Sequence, residues 1–109
     1  PAGFEPTFQK HAKTPCGGCQ IHVRDRERFL PLLTGVALMW TFRQMNPEKF
    51  AWRQPPYEYE HEKLPIEILS GSATLREQIE ASVPILDIAA SWKEEEEAFG
   101  RSRARHLLY

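Results

Sequence analysis

The chain is poor in most of the features that announce a function on sight. It holds only 2 cysteines in 109 residues, too few for a disulfide-built secreted scaffold. No apolar run approaches the roughly 20 residues that span a bilayer. The longest candidate, Leu30 to Phe42, is interrupted by Pro31, Thr34, Gly35 and Thr41. Charge of one sign is missing too. The formal net charge is −1, so nothing in the total points to nucleic acid or an anionic membrane. There is no glycine-rich phosphate loop, no H-E-x-x-H and no G-x-S-x-G, which removes the commonest nucleotide, zinc-protease and serine-hydrolase signatures. No signal-peptide pattern and no initiator methionine opens the chain. It starts on Pro1-Ala2-Gly3, as expected of a segment excised from a larger protein.

What is present is ordinary for one globular domain: 41% hydrophobic residues and 27% charged. The expected fold is α+β, a small sheet with three to four helices packed on it. Residues 1–17 form an N-terminal arm and residues 18–109 the α+β core, a single domain over the whole chain. The arm is punctuated by Pro6, Pro15 and Gly17-Gly18, with Phe4 and Phe8 as its apolar anchors. The segment Gly18 to Val23 alternates, so it predicts a strand with Cys19, Ile21 and Val23 on one face and Gln20 and His22 on the other.

A helix should follow, N-capped by Asp25 with Pro31 in its first turn. Leu32, Val36, Met39, Trp40 and Met45 recur near helical spacing and are expected to face the core. Asn46-Pro47 should end it. Phe50 and Trp52 then pack back, and Tyr57 to Glu60 reads as a short edge strand. Pro65 to Leu69 suggests a short helix closed at Gly71. Ser72 resembles an N-cap for a helix from Ala73 to Ala81, with Leu75 and Ile79 as its apolar pair. A last helix should begin at Pro84 and run to about Arg105. It carries Glu94 to Glu97 before Arg101, Arg103 and Arg105, an order that suits the helix dipole. The apolar end, Leu107-Leu108-Tyr109, is expected to dock.

The chemistry-bearing clusters are thin. Cys16-Gly17-Gly18-Cys19 is a C-x2-C without the second half that a structural zinc site requires, and it leads into a strand rather than capping a helix. No metal and no cofactor is therefore assigned. Cys16 with His22 offers a thiol and a base, but no orienting third group is evident. A buried thiol and a hydrogen-bonded strand histidine is the plainer reading. Glu58, Glu60, Glu62 and Glu67 supply carboxylates beside Tyr57 and Tyr59, and paired carboxylates can perform glycosidic acid–base work. Charge on an edge strand also serves simply to prevent edge-to-edge pairing.

Several segments taken in order carry a resemblance. Phe4-x-Pro6-Thr7-Phe8-x-Lys10 precedes Cys16-x-Gly18-Cys19-Gln20-Ile21-His22-Val23 and Asp25-Arg26. Phe29-x-Pro31, Pro47-x-x-Phe50-x-Trp52, Leu69-x-Gly71, Leu75-Arg76, Ser91-Trp92, Phe99 and the final Leu107-Leu108-Tyr109 follow. This order resembles the C-terminal part of the family known as domain of unknown function 1343, associated with exo-β-N-acetylmuramidases of glycoside hydrolase family 171. The resemblance spans nearly the whole chain. It departs at Cys19, where a small or apolar residue is more usual, at Glu67, where aspartate is common, and at Ser82, where glycine is common.

The resemblance implies a bacterial parent enzyme with an N-terminal Rossmann-like domain. That domain is expected to hold the principal catalytic acid, and its partner here to complete a cleft for a terminal N-acetylmuramic acid. The isolated chain is then expected to be inactive, with no catalytic residue of its own. Contacts to sugar or to the other domain are expected from Gln20 and His22 first, and from Lys10 and Cys16 second. Lys10 is a charge complement for the lactyl carboxylate of the muramic sugar. The other reading is a non-catalytic module that binds cell-wall sugar or a protein. The compartment, cytoplasmic or exported, depends on what precedes Pro1. No nucleic acid partner and no membrane span is expected.

Overall fold

In the computed structural model, which describes residues 1–108, a short hairpin is followed by four helices. Strand β1 (Ala2–Phe4) pairs antiparallel with β2 (Cys16–Gly18), setting Ala2 opposite Gly18 and Phe4 opposite Cys16. The helices are α1 (Pro31–Met45), α2 (Pro65–Ser70), α3 (Thr74–Glu80) and α4 (Ile85–Arg103), and a 3-10 turn at Ala104–His106 closes the described chain. This is the small α+β architecture expected. Its core lies among the helices: the buried hydrophobic cluster is Val36, Leu75, Ile79 and Ile88, ringed by Met39, Trp40, Trp52, Ile66, Val83 and Trp92. Two of the three indoles at that rim make hydrogen bonds. Trp40 donates to the Val83 carbonyl at 2.9 Å and Trp52 to the Glu80 carboxylate at 2.8 Å, as half-buried indole N–H groups require.

Proline and glycine set most of the helix boundaries. Pro31 takes the first position of α1, and Leu30 before it is extended (φ −104, ψ 93). A residue preceding proline resists the α conformation, so a helix cannot run through Leu30 from Asp25. Asp25 instead closes a local turn, its carboxylate accepting from the N–H of Glu27 at 3.0 Å and of Arg28 at 3.3 Å. Helix α1 ends at Asn46, as expected.

Helix α2 ends on Gly71, left-handed at φ 81. A side chain there would meet nothing within 4 Å, so the demand for glycine is purely torsional. Gly71→Ala is accordingly expected to lower stability by about 1–2 kcal/mol, read as a lowered urea midpoint. An unchanged midpoint would show that the chain redistributes the strain.

Helix α3 starts one residue later than expected. Its N-cap is Ala73, without a side-chain cap, and the Ser70 hydroxyl donates to the Ser72 carbonyl at 2.9 Å. Leu75 and Ile79 are buried as their spacing requires. Ser82, at the departure from glycine, holds φ 56. That left-handed conformation is one that glycine adopts at least cost. Here Gln44 donates to the Ser82 hydroxyl at 2.8 Å. Arg76 ties α2 to α3: its guanidinium meets Glu67 and Glu80, both at 2.7 Å. The Glu67 hydrogen bond raises the guanidinium above its usual pKa.

Three further expectations are corrected. Residues 19–23 form no strand, and Cys19, Ile21 and Val23 are all exposed. Strand β1 is three residues long and its pairing is used up by Cys16–Gly18, so the following residues have no ladder to join. Tyr57 to Glu60 is a tight turn: Tyr57 and Glu60 exchange backbone hydrogen bonds at 2.9 and 3.0 Å around a left-handed Glu58 (φ 53). The Glu60 carboxylate then accepts from the N–H of Glu62 and Lys63, which lowers its pKa below the ordinary glutamate value.

Leu32, Met45, Leu107 and Leu108 are exposed rather than packed. Leu32 and Met45 sit in the first and last turns of α1, and α4 from Lys93 to Phe99 is exposed along its length. The chain leaves the body there and Leu107 and Leu108 leave with it; Tyr109 lies outside the described residues. The radius of gyration, 17.0 Å, records this extension, since a compact chain of this length has about 13 Å.

Candidate functional site

The hairpin and the residues just after it carry Lys10, Cys16, Gln20 and His22, while the carboxylates Glu58, Glu60, Glu62 and Glu67 lie further along the chain. Cys16 lies in β2, half-buried, and its thiol donates to the Thr14 carbonyl at 3.3 Å. Cys19 is a free, exposed thiol. Gln20 and His22 are exposed on the irregular segment that follows β2. Lys10 stands on the β1–β2 loop. That loop is folded tightly: Gln9, His11 and Lys13 take left-handed φ of 61, 58 and 59. The Lys13 N–H donates to the Pro6 carbonyl at 2.8 Å, and that of Thr14 to His11 at 3.0 Å.

The loop walls an open concavity of about 890 Å³, lined by residues 5–10 and by Arg53. Lys10 is therefore brought together with Arg53, while Gln20, His22 and Cys16 lie outside this concavity. Sequence reading passed over Arg53. It sits in the loop Trp52-Arg53-Gln54-Pro55-Pro56, and nothing in its neighbours links it to a residue 43 positions earlier. Its guanidinium lies 5.2 Å from the centre of the Tyr57 ring, a cation–π distance.

The carboxylates divide by role. Glu60 serves its own turn and Glu67 serves Arg76. No group of three or more metal-ligating side chains gathers among the described residues. The described site thus offers cations, an exposed phenyl ring and hydrogen-bonding groups, which is the chemistry of binding.

The fold defines a class: a small α+β domain with a folded hairpin loop and many large apolar side chains exposed among the described residues. The chain belongs to the family described as "Exo-beta-N-acetylmuramidase NamZ, C-terminal", whose model matches residues 1–109. It is also 30% identical over 108 residues to "Peptidoglycan beta-N-acetylmuramidase NamZ" of Bacillus subtilis (strain 168). That match covers 99% of this chain and 24% of the relative, so the chain spans about a quarter of the relative's length. No solved structure matches the chain. No helix is long and apolar enough to cross a membrane among the described residues.

Proposed function

We propose that this chain is the cleft-completing domain of a peptidoglycan-directed exo-β-N-acetylmuramidase, with the main catalytic residues on a preceding Rossmann-like domain. One observation carries the reading. Among the described residues four hydrophobic side chains are buried, while fifteen large ones stand exposed, from Phe4 in the hairpin to Leu108. Single exposed hydrophobics are ordinary on a protein surface, but this ratio describes a body that expects a partner. The relative's further three quarters, absent from this chain, is the natural occupant. A sugar cleft at that junction fits the general preference of ligand sites for domain interfaces. In it Gln20 and His22, on the uncovered segment beside Ile21 and Val23, contact the sugar or the partner domain.

The test is hydrolysis of a chromogenic N-acetylmuramic acid glycoside. The full-length parent should turn it over and residues 1–109 alone should not. Gln20→Ala and His22→Ala in the parent should each lower kcat/KM by about 3–10-fold, the loss of one net hydrogen bond. Hydrolysis by the 109 residues alone would overturn the auxiliary role. Wild-type kinetics in both variants would make that segment structural.

A further inference from the structure

We infer that Lys10 and Arg53 together form a subsite for the carboxylate of an acidic sugar, with Phe8 as the platform for its apolar face. The inference rests on the muramidase reading above, because N-acetylmuramic acid differs from N-acetylglucosamine by a lactyl group that ends in a carboxylate. Lys10, expected from charge alone, is one cation. The fold supplies the second.

Four features support the pairing. First, Lys10 and Arg53 line one concavity although the chain separates them widely, and both are exposed. Neither enters an ion pair among the described residues, so both charges are available to an incoming anion. Second, Arg53 is held in place. Its cation rests over Tyr57, and Tyr57 is fixed by the reciprocal backbone bonds to Glu60. A guanidinium stacked in this way retains planar, forked N–H donors that match a carboxylate. Lys10 adds a point charge to the same concavity.

Third, Phe8 is 70% exposed on the same wall. Thr7 and Gln9 beside it bring a hydroxyl and an amide for sugar hydroxyls or an N-acetyl group. Fourth, the loop carrying Lys10 is preorganised. Three left-handed non-glycine residues within five positions are each strained by about 1–3 kcal/mol, and they persist because the loop's backbone hydrogen bonds hold them. Glu5 also lines the concavity. Its charge repels an anion, which disfavours a carboxylate on its own side of the concavity.

The experiment is calorimetric binding of N-acetylmuramic acid and of N-acetylglucosamine to the full-length parent. The wild type should prefer the acid by about tenfold, the scale of one charge-assisted contact. Arg53→Ala and Lys10→Ala should each remove most of that preference and leave N-acetylglucosamine binding unchanged. Arg53→Lys should fall between, keeping the charge and losing the fork. Both sites are exposed, and an unaltered thermal transition confirms that each variant is folded. Full retention of the preference in Arg53→Ala and Lys10→Ala overturns the subsite, as does a wild type without any preference. A parent that binds neither sugar and cleaves no muramic acid glycoside overturns the muramidase reading itself, and the subsite with it.

Discussion

Ile79→Ala should lower the stability of this domain by about 2–5 kcal/mol, the usual loss for truncating a fully buried aliphatic side chain. Ile79 is 0% exposed and is one of the four residues of the buried hydrophobic cluster among the described residues. It lies on α3, between the α1 residue Val36 and the α4 residue Ile88. Truncation leaves a void at the one point where three helices meet, and the remaining core is too small to collapse around it. Domains of this size have about 5–15 kcal/mol of total stability, so the variant should be close to unfolded at physiological temperature. Urea unfolding followed by tryptophan emission reads this directly, because Trp40, Trp52 and Trp92 all pack against the cluster. Leu86→Ala, on the exposed side of α4, is the matched control and should change stability by less than about 0.5 kcal/mol. Equal midpoints for the two variants would refute the assignment of the core.

The second large effect is opposite in character. Ile21→Asp combined with Val23→Asp should leave the helical core untouched and sharply reduce the activity of the full-length parent. Both side chains are about half exposed in the isolated chain, at 52% and 47%, so two carboxylates there remain solvated and cost the domain little. If this segment meets the preceding domain, the same charges are buried at the junction. Each unpaired charge then costs several kcal/mol, enough to separate the domains and reduce kcat/KM at least about tenfold. Limited proteolysis should cut the junction faster in the variant than in the wild type. Full activity and wild-type protease resistance would place the interface elsewhere, with α4 and its bare Phe99 as the next surface to probe.

The expectations that held were those set by local chemistry. Asn46-Pro47, Gly71 and Pro84 punctuate the helices, and Pro31 lies in the first turn of α1 although the start expected at Asp25 does not hold, because the prolines act on their own and the preceding backbone and Gly71 meets a left-handed φ that other residues resist. The pair Leu75 and Ile79 lies on one face of α3 because the helix period is fixed. The expectations that failed needed a partner. Residues 19–23 alternate like a strand, yet β1 ends before it can pair with them. Tyr57 to Glu60 has strand-like composition, yet Glu58 turns left-handed and the four residues close on themselves. Leu107 and Leu108 are apolar enough to dock, but the described residues give them no surface.

The lysine of the candidate subsite was legible from charge, the arginine was not. Lys10 stands among the motif residues Phe4, Pro6, Thr7 and Phe8, whereas Arg53 lies in a proline-rich loop that reads as a connector.

By itself the sequence determined the α+β class, the helix boundaries at proline and glycine, and the ordered motifs that place the chain in its family. Those properties depend on backbone restrictions and periodicity within a few residues. Only the tertiary structure decided that the hydrophobic core is four side chains among the helices, that fifteen large apolar groups of the described residues face outward, and that Lys10 and Arg53 line one concavity. Such facts depend on which distant segments meet. That is settled by the packing of α1, α3 and α4 around Ile79, and no local pattern encodes it.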